Sequence, residues 1–362
     1  MAGVDTAALR AEFPVLASRA YLNAGTCGPV PRAATAALRD AAEIAANDGR
    51  STGYYERFAA VRDRLRAAYA GVLHAEPADV AVTTSTSEGI TRVLLGLDLP
   101  RGAEVLVAEH EHPGLLGPLV AARDRLGLTV REVPLAALGD AVGPDTRLVA
   151  CSHVSWTDGA LAPALDGLPG DLPVLLDGAQ GVGAVAFDVT RLGCAFYAGS
   201  GQKWMCGPVG TGMLWVSPAW RERLVAASPT YVNLEEPALG LGARAWPDAR
   251  AHDTAAMSLE SAAAALAAHD VLAGFGWDRV HDRARDLAAH TAGVLAEAGH
   301  DVAERGPSTL VSWRSPDAAA DVARLAGAGV VARSFAGLPY VRVSLGAWND
   351  ESDVERLIAA LR

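Results

Sequence analysis

Seven short apolar runs punctuate the middle of the chain, and helix-sized segments separate them. The runs are strand candidates at 80–83, 104–108, 128–133, 147–152, 173–176, 195–198 and 211–216. Strands that alternate with helices over such a length are typical of an α/β domain, in which helices cover a sheet. We therefore expect one large α/β domain in this part of the chain.

A second, smaller domain is expected after the strand-rich part, because 362 residues suggest about two domains. We place an N-terminal arm in residues 1–20, the large domain in 21–250 and a small C-terminal α/β domain in 251–362. The arm should form a helix from about Thr6 to Ala17. An alanine-rich helix from about Thr254 to Leu272 should bridge the domains, and a helix from Asp350 to Leu361 should end the chain.

Charge and cysteine content narrow the partners and the location. The net charge is −11 at pH 7, so we expect no nucleic-acid and no membrane partner. No stretch approaches the roughly 20 apolar residues of a membrane span. The start MAGVDTAALRAEF lacks the basic and then apolar pattern of a signal peptide. The four cysteines, at 27, 151, 194 and 206, have neither CxxC spacing nor disulfide density, which indicates a cytoplasmic location.

The chain contains a single lysine, Lys203, beside 30 arginines, since lysine and arginine together number 31. A composition so poor in lysine uses arginine wherever a surface positive charge suffices. Only an amine, however, can lose its proton near neutral pH and attack a carbonyl to form a Schiff base. Lys203 is therefore a candidate for covalent attachment of an aldehyde, and its survival by drift is the alternative.

Lys203 lies in a glycine-rich loop just past a predicted strand. The segment FYAGSGQKWMCGPVGTGMLWV at 196–216 contains two apolar runs on either side of the loop, as expected for two strands and a tight turn. One predicted strand earlier, Asp177 follows the apolar run 173–176 in PVLLDGAQG. Because ligands of open α/β sheets bind beyond the carboxyl ends of the strands, we expect Asp177 and Lys203 to meet there.

A carboxylate beside an imine-forming lysine is what pyridoxal phosphate requires. The carboxylate keeps the pyridine nitrogen protonated, so that the ring can accept carbanion electrons. The segment AVTTSTSEGITRVLLGL can bind the phosphate group, with a strand at 80–83, a turn at 85–87 and an apolar helix face after it. Hydroxyls and backbone amides at such a helix start can hold a dianion. An ordinary helix N-cap is the alternative.

Four motifs make a family resemblance specific. They are YLNAGTCGPVP at 21–31, Asp-Gly-Ala-Gln at 177–180, Ser-Gly-Gln-Lys-Trp at 200–204 and Gly-Pro-Val-Gly-Thr-Gly at 207–212. With them the chain resembles the class V aminotransferase group of fold type I pyridoxal phosphate enzymes, which includes cysteine desulfurases, isopenicillin N epimerase-like proteins, kynureninase and carbon–sulfur lyases. The resemblance implies a seven-stranded, mostly parallel sheet in the large domain, a small C-terminal α/β domain and a homodimer with shared active sites.

The resemblance also implies roles for single residues. Lys203 would carry pyridoxal 5'-phosphate as a covalent aldimine, Asp177 would pair with the pyridinium, and His112 would stack on the ring face. Gln180 would bond the phenolic oxygen of the ring. The phosphate would be held by Thr86, Ser87, Ser200 and Gln202, and Thr254 would close the phosphate site of the partner subunit.

A metal site in the segment EHEHP is an alternative role for His112. His110, Glu111 and His112 are all potential metal ligands. Alternation along an extended segment would send His110 and Glu111 to opposite sides, however. We therefore expect no metal here.

The strand pattern around Arg342 supports a substrate contact. In PYVRVSL, Val341 and Val343 face one side of a strand and Arg342 faces the other. The planar fork of arginine suits a carboxylate. In the family this position grips the α-carboxylate of the amino-acid substrate, and a surface salt bridge is the alternative. Further substrate contacts are predicted from Arg333, Asn23 and Trp156.

Three departures from cysteine desulfurases bear on the reaction. Those enzymes accept sulfur on a cysteine of a mobile loop near the first arginine, whereas RSFAGLPYVR at 333–342 has no cysteine. Persulfide transfer of that kind is therefore not expected. Gln202 stands where they carry histidine, and glutamine cannot shuttle a proton at neutral pH, so acid–base work falls to Lys203. Trp156 stands in place of an asparagine, which indicates a bulkier or more apolar substrate, or else core packing.

Three interpretations of function stay open. The first, which we expect, is β-elimination from a substituted cysteine or related β-substituted amino acid, leaving a thiol or similar group, pyruvate and ammonia. The second is transamination or epimerisation at Cα, for which Cys27 is a candidate proton donor if its loop reaches the site. The third is a cofactor-binding regulatory protein without turnover.

Overall fold

The computed structural model describes residues 3–165 and 167–362. In chain order the strands are β1 (Ala20–Tyr21), β2 (Val80–Thr83), β3 (Glu104–Ala108), β4 (Thr129–Val133), β5 (Thr146–Ser152), β6 (Val174–Asp177), β7 (Phe196–Ser200), β8 (Gly212–Val216), β9 (Leu310–Arg314), β10 (Val330–Val331), β11 (Arg333–Phe335) and β12 (Leu338–Ser344). The α-helices are α1 (Thr6–Ala11), α2 (Arg32–Asn47), α3 (Thr52–Leu73), α4 (Thr86–Gly96), α5 (Pro113–Leu126), α6 (Leu259–Phe275), α7 (Trp277–Glu297), α8 (Ala318–Gly327) and α9 (Glu351–Leu361).

A seven-stranded sheet forms the centre of the large domain. Its strand order is β2-β8-β7-β6-β5-β3-β4. Strand β8 runs antiparallel to β2 and β7, and the other neighbours are parallel. Buried apolar side chains cover both faces, as expected for strands enclosed by helices. The α/β fold and the seven predicted strands are confirmed, with bounds that shift by one or two residues.

The predicted bridging helix was placed wrongly at its start. Helix α6 begins at Leu259 because Ser258 caps it by accepting a hydrogen bond from the Ser261 amide. The helix is apolar around most of its circumference and packs against α2 and α3, both helices of the large domain. Much of the helix therefore lies on the large domain, and the boundary at 250/251 stays a prediction.

The N-terminal arm also differs from its prediction. The single helix from Thr6 to Ala17 is wrong, because α1 ends at Ala11 and a separate 3₁₀ turn begins at Pro14. Proline lacks a backbone N–H and cannot continue the preceding helix. Arg10 of α1 forms an ion pair with Asp353 of α9, with 2.6 Å between Nη1 and Oδ2. Since β1 also pairs with β10, the arm is attached to the small domain.

The small domain contains the antiparallel sheet β11-β12-β9. Val341 and Val343 of β12 are fully buried in a core shared with α7 and α9, as the alternation predicts. Arg342, between the two valines, belongs to the other face of β12 and lies directly opposite Arg333 of β11. Side chains directly opposite each other share one face of an antiparallel pair. The two arginines therefore project from the sheet on the same side.

All four cysteines are free thiols; Cys27 is half-buried, and Cys151, Cys194 and Cys206 are buried. Within residues 3–165 and 167–362, no helix combines the length and the apolar character needed to cross a bilayer.

Candidate active site

Asp177 and Lys203 meet beyond the carboxyl ends of two neighbouring strands. Asp177 ends β6, Lys203 lies in the turn after β7, and these strands pair in parallel. Asp177 is buried, and its Oδ1 accepts a hydrogen bond of 2.9 Å from the Ala179 amide. Burial raises the pKa of Asp177, and the nearby charge of Lys203 opposes that shift. The structure thus brings the predicted pair together.

The environment of Lys203 favours its neutral amine. Burial lowers the pKa of Lys203 to about 8, against the effect of the Asp177 carboxylate. The positive charges of Arg342 and Arg333 act in the same direction as burial. A fraction of such an amine is neutral at physiological pH, so Lys203 can act as a nucleophile and as a base.

Three side chains predicted to hold phosphate are at least half-buried and carry unpartnered polar atoms. We call Thr86, Ser200 and Gln202 the phosphate cradle. Their atoms Oγ1, Oγ and Oε1 are buried and have no hydrogen-bond partner within the described residues. Thr86 opens α4, whose free backbone amides and positive dipole end face the same region. Ser200 pairs with Gly212, where an added Cβ would lie 3.0 Å from Ser85 Cα, so the two parts of the cradle are close.

Ser87 differs from its neighbour Thr86. Its hydroxyl donates a hydrogen bond of 2.8 Å to the Gly114 carbonyl and so ties α4 to the start of α5. The hydroxyl proton of Ser87 is therefore already used. A phosphate contact by Ser87 stays a prediction, and its backbone amide is the better candidate donor.

His112 caps helix α5 and is neutral. Its Nδ1 accepts a hydrogen bond of 2.9 Å from the Gly114 amide. Burial lowers the pKa of His112 to about 4, and the charges of Lys203, Arg333 and Arg342 add to that shift. The ring lies edge to face with Trp156 at 4.8 Å between centroids. A neutral ring fixed in this way suits the predicted stacking on a cofactor.

Gln180 connects the lysine segment with the loop at 22–28. Its Nε2 donates to the Gly25 carbonyl at 2.7 Å, and its Oε1 accepts from the Trp204 indole N–H at 3.0 Å. One N–H of the amide remains for another acceptor. Gly28 makes the loop's closest approach, since an added Cβ there would lie 2.0 Å from the Lys203 carbonyl oxygen. A contact of Gln180 with the cofactor's phenolic oxygen stays a prediction.

Arg342 is a fully buried guanidinium with spare donors. Its Nη1 donates to the Trp156 carbonyl at 2.5 Å, whereas Nε and Nη2 have no partner within the described residues. Burial lowers the pKa of Arg342 to about 9, and the charge of Arg333 adds to the shift. An unpaired buried cation is costly unless an anion or hydrogen-bond acceptor compensates it. The free part of the fork therefore suits a carboxylate.

Arg333 reaches the same region from β11. Its Nη1 donates to Thr26 Oγ1 at 3.1 Å, and the Thr26 hydroxyl donates to Asn23 Oδ1 at 2.7 Å. The predicted residues Asn23 and Arg333 are thus linked through Thr26. Sequence reasoning missed Thr26, although it lies in the quoted motif, because only the tertiary structure brings it to Arg333.

Trp156 is the centre of an aromatic wall. Its ring lies 4.7 Å from Phe335 between centroids, and its indole N–H donates to the His110 carbonyl at 2.7 Å. The guanidinium of Arg342 lies 5.1 Å from the centroid of the Phe335 ring. Phe335 was also missed, although it stands two residues after Arg333 and so belongs to the same strand face. The half-buried position of Trp156 suits a site wall better than core packing.

Thr254 lies at the edge of β2 in its own chain. Its amide donates to the Val82 carbonyl at 2.8 Å, and its hydroxyl accepts from the Ala256 amide at 3.2 Å. Its predicted contact with a partner's phosphate site stays a prediction. Within the described parts of the chain, no group of three or more His, Cys, Asp or Glu residues is arranged to bind a metal ion.

Known proteins resemble this chain along almost its whole length. Residues 20–357 match the sequence model of the family described as aminotransferase class-V. An isopenicillin N epimerase of Streptomyces clavuligerus is 27% identical and the alignment covers 94% of this chain and 93% of the relative. A probable cysteine desulfurase of Pseudomonas aeruginosa is 31% identical, with 97% of this chain and 96% of the relative covered.

A solved structure of a lyase has nearly the same fold. The complex of the cystine C–S lyase C-DES with its reaction product cysteine persulfide superposes with a TM-score of 0.88 at 27% identity. The superposition covers 96% of this chain and 98% of that chain. A C-DES mutant with glycine covalently linked to the PLP cofactor gives a TM-score of 0.89 at 26% identity, covering 97% and 98% of the two chains.

Proposed function

Because the chain belongs to the class V aminotransferase family and is a pyridoxal phosphate-dependent enzyme, we propose that it catalyses β-elimination from a β-substituted α-amino acid. The expected products are a thiol or similar leaving group, pyruvate and ammonia. A regulatory protein without turnover, the third interpretation above, does not agree with membership of this enzyme family.

The residues of the site fit pyridoxal 5'-phosphate. The unpartnered atoms of the phosphate cradle suit the phosphate, Asp177 suits the ring nitrogen, and Lys203 suits covalent attachment. His112 and Gln180 are proposed contacts of the ring. When bound, the cofactor supplies a protonated ring that accepts the electron pair left after a bond to Cα breaks.

Arg342 is the observation that carries the proposal of an α-amino-acid substrate. Its charge acts on Lys203, and two of its nitrogen atoms are buried without a partner. A carboxylate that accepts hydrogen bonds from Nε and Nη2 would hold the substrate with its Cα near the Lys203 amine. Asn23 and Arg333 are proposed as further polar contacts, and Trp156 as a wall beside the substrate side chain.

Lys203 is the proposed base of the reaction. Its neutral amine can take the proton from Cα, and the leaving group then departs from Cβ with its bonding electrons. Gln202 has no titratable proton and therefore cannot share this task. The released enamine takes up water and yields pyruvate and ammonia, so the balance of atoms requires no external oxidant or reductant.

The positions of three of the four thiols favour elimination over persulfide transfer. Cys151, Cys194 and Cys206 are buried, and burial raises the pKa of each thiol. Their thiolate forms are therefore suppressed, and thiolate is the form that accepts sulfur. The segment 333–342 has no cysteine. The similarity to a cystine C–S lyase agrees with this choice.

Product analysis on a panel of β-substituted and unsubstituted amino acids tests the proposal. Pyruvate, ammonia and free thiol that appear in equal amounts without an added keto acid would support elimination. Keto acid that forms only when a second keto acid is supplied would show transamination and overturn it. Turnover of an unsubstituted amino acid as readily as a cysteine S-conjugate would also contradict the proposal.

Epimerisation is a second candidate, favoured by the position of Cys27. Its loop at 22–28 carries Thr26, whose hydroxyl accepts a hydrogen bond from Arg333, and we propose that the Cys27 thiol faces the substrate. A thiol across the substrate from Lys203 could return a proton to the other face of Cα. The test follows recovered amino acid in deuterium oxide: deuterated substrate of inverted configuration, lost in Cys27→Ser, would establish epimerisation.

A homodimer in the cytoplasm is the proposed state of the enzyme. The dimer follows from the family resemblance, with Thr254 closing the phosphate site of the partner. Four free thiols agree with a reducing compartment. Sedimentation with and without cofactor, and the effect of Thr254→Val on cofactor retention, would test the shared site.

A further inference from the structure

Glu111 is a buried carboxyl that no step of the proposed reaction uses. It lies between the end of β3 and the start of α5, and only 5% of the residue is exposed. One carboxyl oxygen accepts a hydrogen bond of 2.6 Å from the Ser152 amide, and the other lies 2.5 Å from the Ser152 hydroxyl. Both oxygens are therefore held by a single residue.

Ser152 connects Glu111 to Asp177. Ser152 is the last residue of β5, and in the parallel pairing with β6 its direct partner is Asp177. The next amide, that of His153, donates to the Asp177 carbonyl at 2.9 Å. Glu111, Ser152 and Asp177 thus form a row across the carboxyl ends of three neighbouring strands. The row ends at the carboxylate proposed to face the ring nitrogen.

Glu111 also adjoins His112 and a small cavity. Its backbone leads directly into His112, so fixing Glu111 restricts the histidine that caps α5. The cavity measures about 190 Å³ and is lined in part by Glu111, Ser152, Ser155 and Asp158. This volume suffices for several water molecules, since one water occupies about 30 Å³ in the liquid. Glu111 can therefore exchange its proton with solvent.

The surroundings of Glu111 place the change of its ionisation state near neutral pH. Burial raises the pKa of Glu111 to about 7; the Asp177 charge adds to that shift and the hydrogen bonds from Ser152 oppose it. The titratable groups that face Glu111 or line the adjoining cavity are Asp177 from β6, the Cys151 thiol from β5, the His112 ring at the start of α5, and Glu109, His110 and Asp158.

We propose that Glu111 is a positioning residue for the ring nitrogen of the cofactor. Its carboxylate holds Ser152 beside Asp177 and adds negative charge behind that residue. Negative charge at this place favours the proton on the ring. The proposal rests on the proposed function, because it requires Asp177 to be the partner of the ring nitrogen.

The test is a pH titration of the visible absorbance of the bound cofactor in wild-type holoenzyme and in Glu111→Gln. Glutamine keeps the size of the side chain and can still accept from Ser152, but it removes the charge. We expect the pH midpoint of the cofactor's spectral change to lie above pH 7 in the wild type and to fall by about 0.5 to 1 unit in Glu111→Gln. Below about pH 6 the two spectra should coincide, because Glu111 is then protonated. An unchanged midpoint would overturn the proposal.

Three further variants make the result specific. Glu109→Gln removes the same charge from an exposed neighbour and should leave the midpoint in place. Glu111→Asp keeps the charge and should give a midpoint between those of wild type and Glu111→Gln; equality with Glu111→Gln would overturn the role of the charge. Asp177→Asn should shift the midpoint more than any other variant. If Asp177→Asn has no effect, the assignment of the ring nitrogen fails, which is a failure of the proposed function and is distinguishable from that of Glu111.

Discussion

The cofactor half and the substrate half of the site are built in different ways. The cofactor half consists of residues at the ends of β6 and β7 and at the start of α4, all parts of one sheet domain. The substrate half joins the loop at 22–28, the loop at 153–161 and the hairpin of β11 and β12. A sheet fixes the first half, whereas contacts between distant segments fix the second.

The two halves also leave different groups unpartnered. In the cofactor half these are the neutral oxygen atoms of Thr86, Ser200 and Gln202. In the substrate half they include two nitrogen atoms of the Arg342 cation, beside the Ser344 hydroxyl. Neutral groups at a helix N-terminus fit a phosphate, and a buried guanidinium fits a carboxylate. The difference predicts that changes in one half affect cofactor binding and changes in the other affect substrate selection.

The largest effect is expected from Lys203→Arg in the cofactor half. A guanidinium stays protonated and cannot form the covalent link, although the cradle can still hold the cofactor. Turnover should fall by about 1,000-fold or more. Borohydride reduction followed by peptide mapping should label Lys203 in the wild type and leave the variant unlabelled. A wild-type protein without label would contradict the covalent attachment of the cofactor to Lys203.

Thr86→Val should weaken cofactor binding by about 10- to 100-fold, because it removes a hydroxyl that would bond a charged phosphate. Ser87→Ala is the matched control, since the Ser87 hydroxyl already donates to Gly114. We expect a smaller effect for this variant. Dissociation constants of the cofactor, measured by fluorescence titration of apoprotein, give the comparison. Equal losses would mean that the unpartnered hydroxyl does not identify the phosphate site.

Gly28→Ala should disturb the contact between the loop at 22–28 and the segment of Lys203, where the two halves meet. A Cβ at this position would lie 2.0 Å from the Lys203 carbonyl oxygen, so the backbone has to move. We expect a loss of about 1–3 kcal/mol in the free energy of unfolding, the range for overpacking. Gly117→Ala is the control, because Gly117 is exposed on α5 with no atom within 4 Å of an added Cβ. Urea unfolding of both variants measures the difference, and equal stabilities would show that the contact of Gly28 with the Lys203 segment is not tightly packed.

Glu111→Gln should change the pH dependence of stability. The folded protein holds the pKa of Glu111 at about 7, above its ordinary value of 4.5. A raised pKa stabilises the fold at low pH, and this contribution is lost as pH rises from about 4.5 through about 7. Relative to wild type, the variant should therefore gain about 2–3 kcal/mol between pH 5 and pH 8. Urea unfolding of apoprotein at both pH values measures it, and a difference independent of pH would contradict the sign.

The sequence predicts the cofactor half better than the substrate half for a physical reason. Strand periodicity and the rule for strand ends suffice to bring Asp177 and Lys203 together. By contrast, the bond from Arg342 to the Trp156 carbonyl involves a backbone group, which has no sequence signal. Phe335 approaches Trp156 only through the packing of separate segments.

Element bounds failed where local signals were overlooked. Pro14 ends the first helix early, and Ser258 rather than Thr254 caps α6. Both residues are visible in the sequence as a helix breaker and a cap. His110 is exposed and Glu111 is buried, but the segment is not extended as the alternation argument assumed, because His110 has a φ of 60°. The sequence also does not reveal that Ser152 is the partner of Glu111.

The division between the halves is tested most directly by kcat/KM of Arg342→Ala on an amino acid and on its decarboxylated amine. The variant should keep its cofactor and lose about 2–5 kcal/mol of transition-state binding for the amino acid, the scale for removing one partner of a desolvated charge pair. Arg342→Lys should recover only part of this, because an ammonium lacks the bidentate fork. The amine should be affected little. Equal losses on both compounds, or no loss on either, would contradict the account.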